Sequence, residues 1–222
     1  MNYNTHRVVT IKKIINGGYG LAHLATGKAV LVRYALPGET VSISPVRQHR
    51  RCDYAAVAEV IEPSPDRVTA PCPYYCRCGG CDLQHASYAR QCTLKEEIVR
   101  ELIAGGEPDG LKKTVSRIKQ IIPSPKEFCY RQRIRMKVDK RGIPGFTHFR
   151  SHQIVPVSKC LLAAKPINDC LAELCGHQDF KSLSLAAEEL ELILNQLSGG
   201  VSLRLMLRRP PRPADRSRAQ AL

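Results

Sequence analysis

The sequence has no long apolar run, is short of acidic residues, and has no tryptophan. A membrane-spanning helix needs about 20 predominantly apolar residues, and no stretch approaches that. The opening residues, MNYNTHRVVTIKK, lack the apolar core of a secretory signal. The chain is therefore expected in the cytoplasm, with no membrane partner, where thiols stay reduced. Gly18-Tyr19-Gly20 lacks the third glycine of a dinucleotide fingerprint, and no helical pattern follows, so NGGYG reads as a hairpin turn that needs positive φ. The acid deficit is large: 34 Lys and Arg stand against 20 Asp and Glu, a net charge of +14. Each cation that meets a phosphate releases a counterion, so such a surplus points to nucleic acid first, an anionic surface second and simple solubility third.

What is present reads as globular, with 43% hydrophobic and 24% charged residues. Residues 8–61 contain about five short β-branched runs: VVTIKKII, AVLVRYAL, Thr40–Ile43 and YAAVAEVIEP among them. That density of strands suits a small OB-type β-barrel. After the cysteines, Ser87 is a candidate N-cap, Leu94, Ile98 and Leu102 recur at helical spacing, and Gly105-Gly106 closes the helix over a loop at 105–113. FCYRQRIRMKVD then alternates. Tyr130, Gln132, Ile134, Met136 and Val138 share one side, and Arg131, Arg133, Arg135 and Lys137 the other. Four cations on one strand face repel one another unless something anionic meets them, and a phosphate backbone would; an ordinary solvated edge strand is the alternative. IPGFTHF and HQIVPVS read as strands, KPINDCLAELCG and SLAAEELELILNQL as helices, and VSLRLML as a final strand. The whole is α+β: a barrel at 1–63, then an α+β domain at 64–207. Residues 208–222 are rich in Arg and Pro and read as a disordered tail. The segment from Arg204 onward carries +5 of the charge, so the body is basic without it.

Ten cysteines in a reducing compartment point to metal ligation. Cys72, Cys78 and Cys81 stand in the pattern C-x5-C-G-G-C, with Cys76 inside it. Zinc usually takes two short pairs a dozen or more residues apart, and here the thiols are crowded together. A cubane cluster is larger, so three crowded thiolates can cover three irons while a fourth comes from afar; Cys160, after QIVPVS, is the best distant candidate. Zinc and unligated thiols stay open as alternatives. Cys52, Cys92, Cys129, Cys170 and Cys175 read as small packing residues.

On these residues the sequence resembles the iron–sulfur RNA (uracil-C5)-methyltransferases that act on 23S ribosomal RNA. GGYGLA, GKAVLVRYALPGETV and AEVIEPSPDRV resemble a TRAM domain. CPYYCRCGGCDLQH with YARQCTLKEEIV resembles the family's cluster segment and the helix after it. CYRQRIRMKV and GFTHFRSHQIVPVSKC resemble its central domain. The resemblance implies a 4Fe–4S cluster on Cys72, Cys78, Cys81 and Cys160, with Cys76 an extra thiol. It also implies a ribosomal RNA partner and S-adenosylmethionine as methyl donor. In that chemistry a cysteine thiolate attacks uridine C6, C5 takes the methyl, and a carboxylate removes the C5 proton. Those groups belong to a Rossmann-like domain following the strand VSLRLML. No glycine-rich loop and no cysteine–proline motif occur after Leu207, so no catalytic residue is assigned. The expectation is the RNA-binding and iron–sulfur part of such an enzyme, truncated or frameshifted near Arg208 and inactive alone. The alternative is a stand-alone cluster-bearing RNA-binding module. RNA contacts are expected from Arg131, Arg133 and Arg135 on the strand and from Arg47, Arg50 and Arg51 on a loop.

Overall fold

The computed structural model describes residues 7–105 and 112–222, without the side chains of 45–47, 112 and 113. Two compact units divide the chain, one drawn from Met1–Pro71 and Asp82–Pro123, the other from Cys72–Cys81 and Ser124–Leu222. This differs from the boundary expected at residue 63. The cysteine loop goes with the second unit, whereas the helix after it goes with the first.

The first unit holds six strands: β1 (Arg7–Thr10), β2 (Lys13–Ile15), β3 (Tyr19–His23), β4 (Ala29–Arg33), β5 (Thr40–Arg47) and β6 (Asp53–Glu62). Their order is β1-β5-β6-β4-β3-β2. The two edges of this sheet, β1 and β2, are consecutive lengths of one strand, separated only by Ile11 and Lys12. Ile11 N–H donates to Glu39 O and Lys12 N–H to Leu21 O, so the bent strand bonds both neighbours and the sheet curls closed. With β4 and β6 parallel and the other pairs antiparallel, the topology is that of a five-stranded OB-type barrel. Ile11, Val30, Val32, Val41 and Ile43 fill its core. The NGGYG turn is the β2–β3 hairpin, with Gly17 at φ +90° and Gly18 at φ +74°. Helix α1 (Tyr88–Ala104) is capped by Ser87, whose hydroxyl accepts from Arg90 N–H, and ends at Gly105. Gly106 lies outside the described residues. The apolar stripe of α1 is only partly used: Leu94 is buried against Ile14, Leu36 and Ala86, while Leu102 is exposed.

The second unit is an antiparallel sheet of order β11-β10-β7-β8-β9 with helices on one face. Its strands are β7 (Arg133–Val138), β8 (Pro144–Thr147), β9 (Ile154–Pro156), β10 (Ala187–Leu194) and β11 (Val201–Leu207), and its first helices are α2 (Lys165–Gly176) and α3 (Gln178–Ser184). Ile134, Met136, Leu190 and Leu192 meet Ile167, Leu171 and Phe180 in the core.

Two expectations are corrected here. SLAAEELELILNQL is not a helix, because Leu190 and Leu192 point into the core while Glu189 and Glu191 point away from it, beside the cations of β7. The Arg/Pro-rich tail is not irregular, because residues Pro213–Gln220 form helix α4. Asp215 explains it. This buried carboxylate accepts from Arg212 N–H at 2.7 Å, as a helix N-terminus favours, and from Arg209 Nη1 at 2.6 Å. Arg209 holds its carboxyl down at about 2, helped by the Arg212 amide.

Candidate functional site

The cysteine loop is folded by its own backbone and by Tyr74. Tyr75 N–H donates to Cys72 O and Cys78 N–H to Tyr74 O, which makes a compact turn between the two cysteines. Tyr74 packs against the core of the second unit, and its hydroxyl lies 2.9 Å from Ser158 Oγ. That contact ties the loop to the segment leading to Cys160. Two residues on, Gly79 N–H donates to Thr147 O and Cys78 bridges to His148, so the CGGC turn is stitched to the end of β8. Only glycine fits there: a Cβ on Gly79 would stand 2.9 Å from Phe149 N and 3.0 Å from Thr147 O.

Cys160 is not at the end of a strand, as expected, but in a turn four residues beyond β9. Asn168 of α2 builds that turn. Its side chain accepts from Cys160 N–H at 2.9 Å and donates to Cys160 O at 3.0 Å and Ala163 O at 3.1 Å. Asn168 is buried and fully employed, and nothing in the sequence marked it.

Cys72, Cys78, Cys81 and Cys160 are all partly buried. Burial pushes the Cys78 thiol up, Gly80 N–H donates to its sulfur and pulls it down, and neighbouring Cys160 and Cys72 push it up again. The loop thiols and the distant one are thus electrostatic neighbours, across some eighty residues of sequence. Cys76 differs: it is exposed at φ +66° on the turn. Cys129 is exposed at φ +57° and is no packing residue, whereas Cys92 is buried on α1 and Cys170 and Cys175 pack against the second core. Among the described residues no group of three or more His, Cys, Asp or Glu side chains is arranged to hold a metal ion. What the loop and the turn do offer is soft sulfur, with Gly80 N–H donated to Cys78 and a glycine cradle at Gly79 beside it. Such a set fits a thiolate-bound cluster better than a hard cation.

The basic strand is less bare than its sequence suggests. Arg133 donates to Glu191 at 2.6 Å, Arg135 reaches Glu189 at 3.1 Å and Glu191 at 3.3 Å, and Lys137 reaches Glu189 at 3.0 Å. Glu189 and Glu191 are buried beneath these cations, which stay about half exposed. The hydrogen bond from Arg133, then that from Arg135, holds the Glu191 carboxyl below its ordinary value against the effect of burial. The repulsion along β7 is therefore relieved within the protein. Arg131, in an isolated bridge to Ala163, is exposed and has no ion-pair partner among the described residues. Arg50 and Arg51 are likewise exposed, in the loop between β5 and β6. The side chain of Arg47 lies outside the described residues.

No helix among the described residues is long and apolar enough to cross a membrane. No protein-family model matches the chain. It is 38% identical over 168 residues to an uncharacterized RNA methyltransferase of Aquifex aeolicus, covering 73% of this chain and 37% of that protein. To the 23S rRNA (uracil(1939)-C(5))-methyltransferase RlmD of Halomonas elongata it is 35% identical over 201 residues, covering 89% of this chain and 40% of the relative. The chain thus matches well under half the length of these relatives. Its fold is similar to the crystal structure of the Pyrococcus abyssi tRNA (uracil-54, C5)-methyltransferase in complex with S-adenosyl-L-homocysteine. The TM-score is 0.63 at 20% identity, over 95% of this chain and 48% of that one. The chain is a homologue of RNA methyltransferases, with uracil-C5 enzymes of ribosomal RNA among its relatives.

Proposed function

We propose that this chain is the RNA-binding and iron–sulfur portion of an S-adenosylmethionine-dependent RNA (uracil-C5)-methyltransferase acting on ribosomal RNA, with a TRAM-type barrel. The observation that carries the reading is the stitching of the cysteine loop to the end of β8 and, through Tyr74, to the segment that leads to Cys160, supported by homologues that are RNA methyltransferases.

Cys72, Cys78, Cys81 and Cys160 would hold a 4Fe–4S cluster, which would supply a rigid covalent tie between the loop and the turn after β9. Tyr74 and Asn168 orient two of those ligands through main-chain bonds that need no cluster. RNA is met by Arg131, Arg50 and Arg51, and by the half-exposed edges of Arg133 and Arg135. Those two arginines are pre-oriented by Glu191, which limits the entropy lost on binding but leaves less charge for a phosphate.

Two measurements test this. Mixed with a labelled ribosomal RNA fragment, the chain is expected to bind it, and more weakly as salt rises; no binding at low salt would overturn the reading. Replacing Arg131, Arg50 and Arg51 with alanine should flatten the dependence of log affinity on log salt by roughly 0.7–0.9 per lost phosphate contact. An unchanged slope would remove these residues from the interface.

A further inference from the structure

The cysteine loop and the β8–β9 hairpin it is stitched to carry positive charge and no acid. No Asp or Glu occurs between Asp66 and Asp82, or between Asp139 and Asp169, and within those stretches stand Arg77, Arg150 and Lys159. Arg77 lies on the loop itself, exposed and with no ion-pair partner among the described residues. Its N–H donates to Tyr74 O at 3.1 Å, so the turn that shapes the loop also fixes its main chain. Across from it is the hairpin tip. Gly79 N–H donates to Thr147 O and Cys78 bridges His148 in antiparallel sense, a register that sets Arg77 opposite Phe149 and next to Arg150. The tip is closed by its own bonds: His148 N–H donates to Gln153 O at 2.8 Å, Ser151 N–H to His148 O at 3.1 Å and Gln153 N–H to Ser151 Oγ at 3.0 Å. Arg150 is held in that turn at φ +48°, a conformation costly for any residue but glycine. Its exposed guanidinium lies over the Phe149 ring, 5.3 Å from the centroid.

We propose that the cysteine loop and the β8–β9 tip form one RNA-contacting surface, in which Arg77 meets a phosphate and Arg150, backed by Phe149, stacks on an unpaired base. An ordinary solvated surface intersperses both signs of charge, and these two segments hold only one. A planar guanidinium laid on an aromatic ring keeps its outer face for a second flat partner, and unpaired RNA bases are bound on such planes. A duplex keeps its bases stacked and would offer Arg150 no face, so the partner is a loop or a single strand. Main-chain bonds fix the two arginines relative to each other before RNA arrives, which lowers the ordering cost of binding. The inference rests on the RNA-binding reading above and adds to it a contact built on the cysteine loop; it does not depend on the cluster.

The test titrates the whole chain into a labelled single-stranded ribosomal RNA fragment, and into the same fragment paired with its complement, by anisotropy over a range of salt. Arg77→Ala and Arg150→Ala should each weaken single-strand binding roughly two- to fivefold at low salt, the range of an exposed charge contact. Arg77→Ala should also flatten the salt dependence by roughly 0.7. Phe149→Leu keeps every charge, so its loss, also roughly two- to fivefold, should fall on the single strand and spare the duplex. Arg141→Ala removes an exposed cation of the same unit that pairs with Asp139, and should leave binding unchanged. Melting temperatures of all variants, recorded in parallel, separate contact from folding. Wild-type affinity in both arginine variants would overturn the proposal while leaving the RNA-binding reading in place. An equal loss in Arg141→Ala, or losses that merely follow a lower melting temperature, would overturn it too. A wild-type chain that binds no RNA at low salt would instead remove the RNA-binding reading, and this inference with it.

Discussion

Glu191 is the residue on which the basic face turns. It accepts from Arg133 and Arg135 at once and lies 3.9 Å from Arg204 Nη1. Glu191→Gln keeps the shape and removes the charge, so affinity for a ribosomal RNA fragment in low salt should rise roughly two- to fivefold. Anisotropy titration checks this, and an unchanged affinity would mean that this face meets no phosphate. His85 makes a second residue-scale prediction. Burial, and then the Arg67 guanidinium, push its imidazole down from 6.5 to about 4. The folded state thus holds His85 neutral, and its contribution is fully present above pH 6.5 and is lost as pH falls toward 4. The loss amounts to about 3 kcal/mol at most. Denaturant titrations between pH 7 and 4 should show this decline in wild type, and a flatter profile in His85→Gln. The network beside it opposes acid as well. Burial pushes the Glu39 carboxyl up, but Arg67 and the Leu36 and Ser64 amides outweigh it and leave Glu39 below its ordinary value.

Among the elements, those with one unambiguous period were legible in the sequence. Ile134, Met136 and Val138 alternate cleanly and form β7, and Ser87 with its helical stripe marked the start of α1. Strand β10 was not legible, since Ala, Glu and Leu are strong helix formers and Leu190, Ile193, Leu194 and Leu197 fit a helical spacing as well as a strand. What decided the matter is tertiary: as a strand, the segment buries Leu190 and Leu192 and sets Glu189 and Glu191 opposite the cations of β7. The four cysteines proposed as ligands stand out by spacing and resemblance, but the bonds that hold their loop and turn do not. Tyr74 bonds to Ser158, far off in sequence, and Asn168 closes a turn through three main-chain groups that no sequence pattern marks. Asn168→Ala strips two carbonyls and one amide of their partners in the turn after β9. It should cost about 2–3 kcal/mol in a denaturation experiment and reduce iron uptake. Full stability with full iron uptake would show that this turn holds itself.

For the whole molecule, charge and cysteine content are one problem. Across a chain of +14, buried glutamates pair with the cations of β7 while Arg131, Arg50 and Arg51 stay exposed. The second unit gathers a loop from residues 72–81 with a domain that begins at Ser124, a long closure that four thiolates on one cluster would strengthen. The most direct test of the account is the iron and acid-labile sulfide content of the anaerobically purified chain, with its visible spectrum. The account predicts a brown protein with about four irons and four sulfides per chain. Serine at Cys72, Cys78, Cys81 or Cys160 should abolish them, and serine at Cys76 should not. A colourless protein, or one carrying zinc alone, would contradict it.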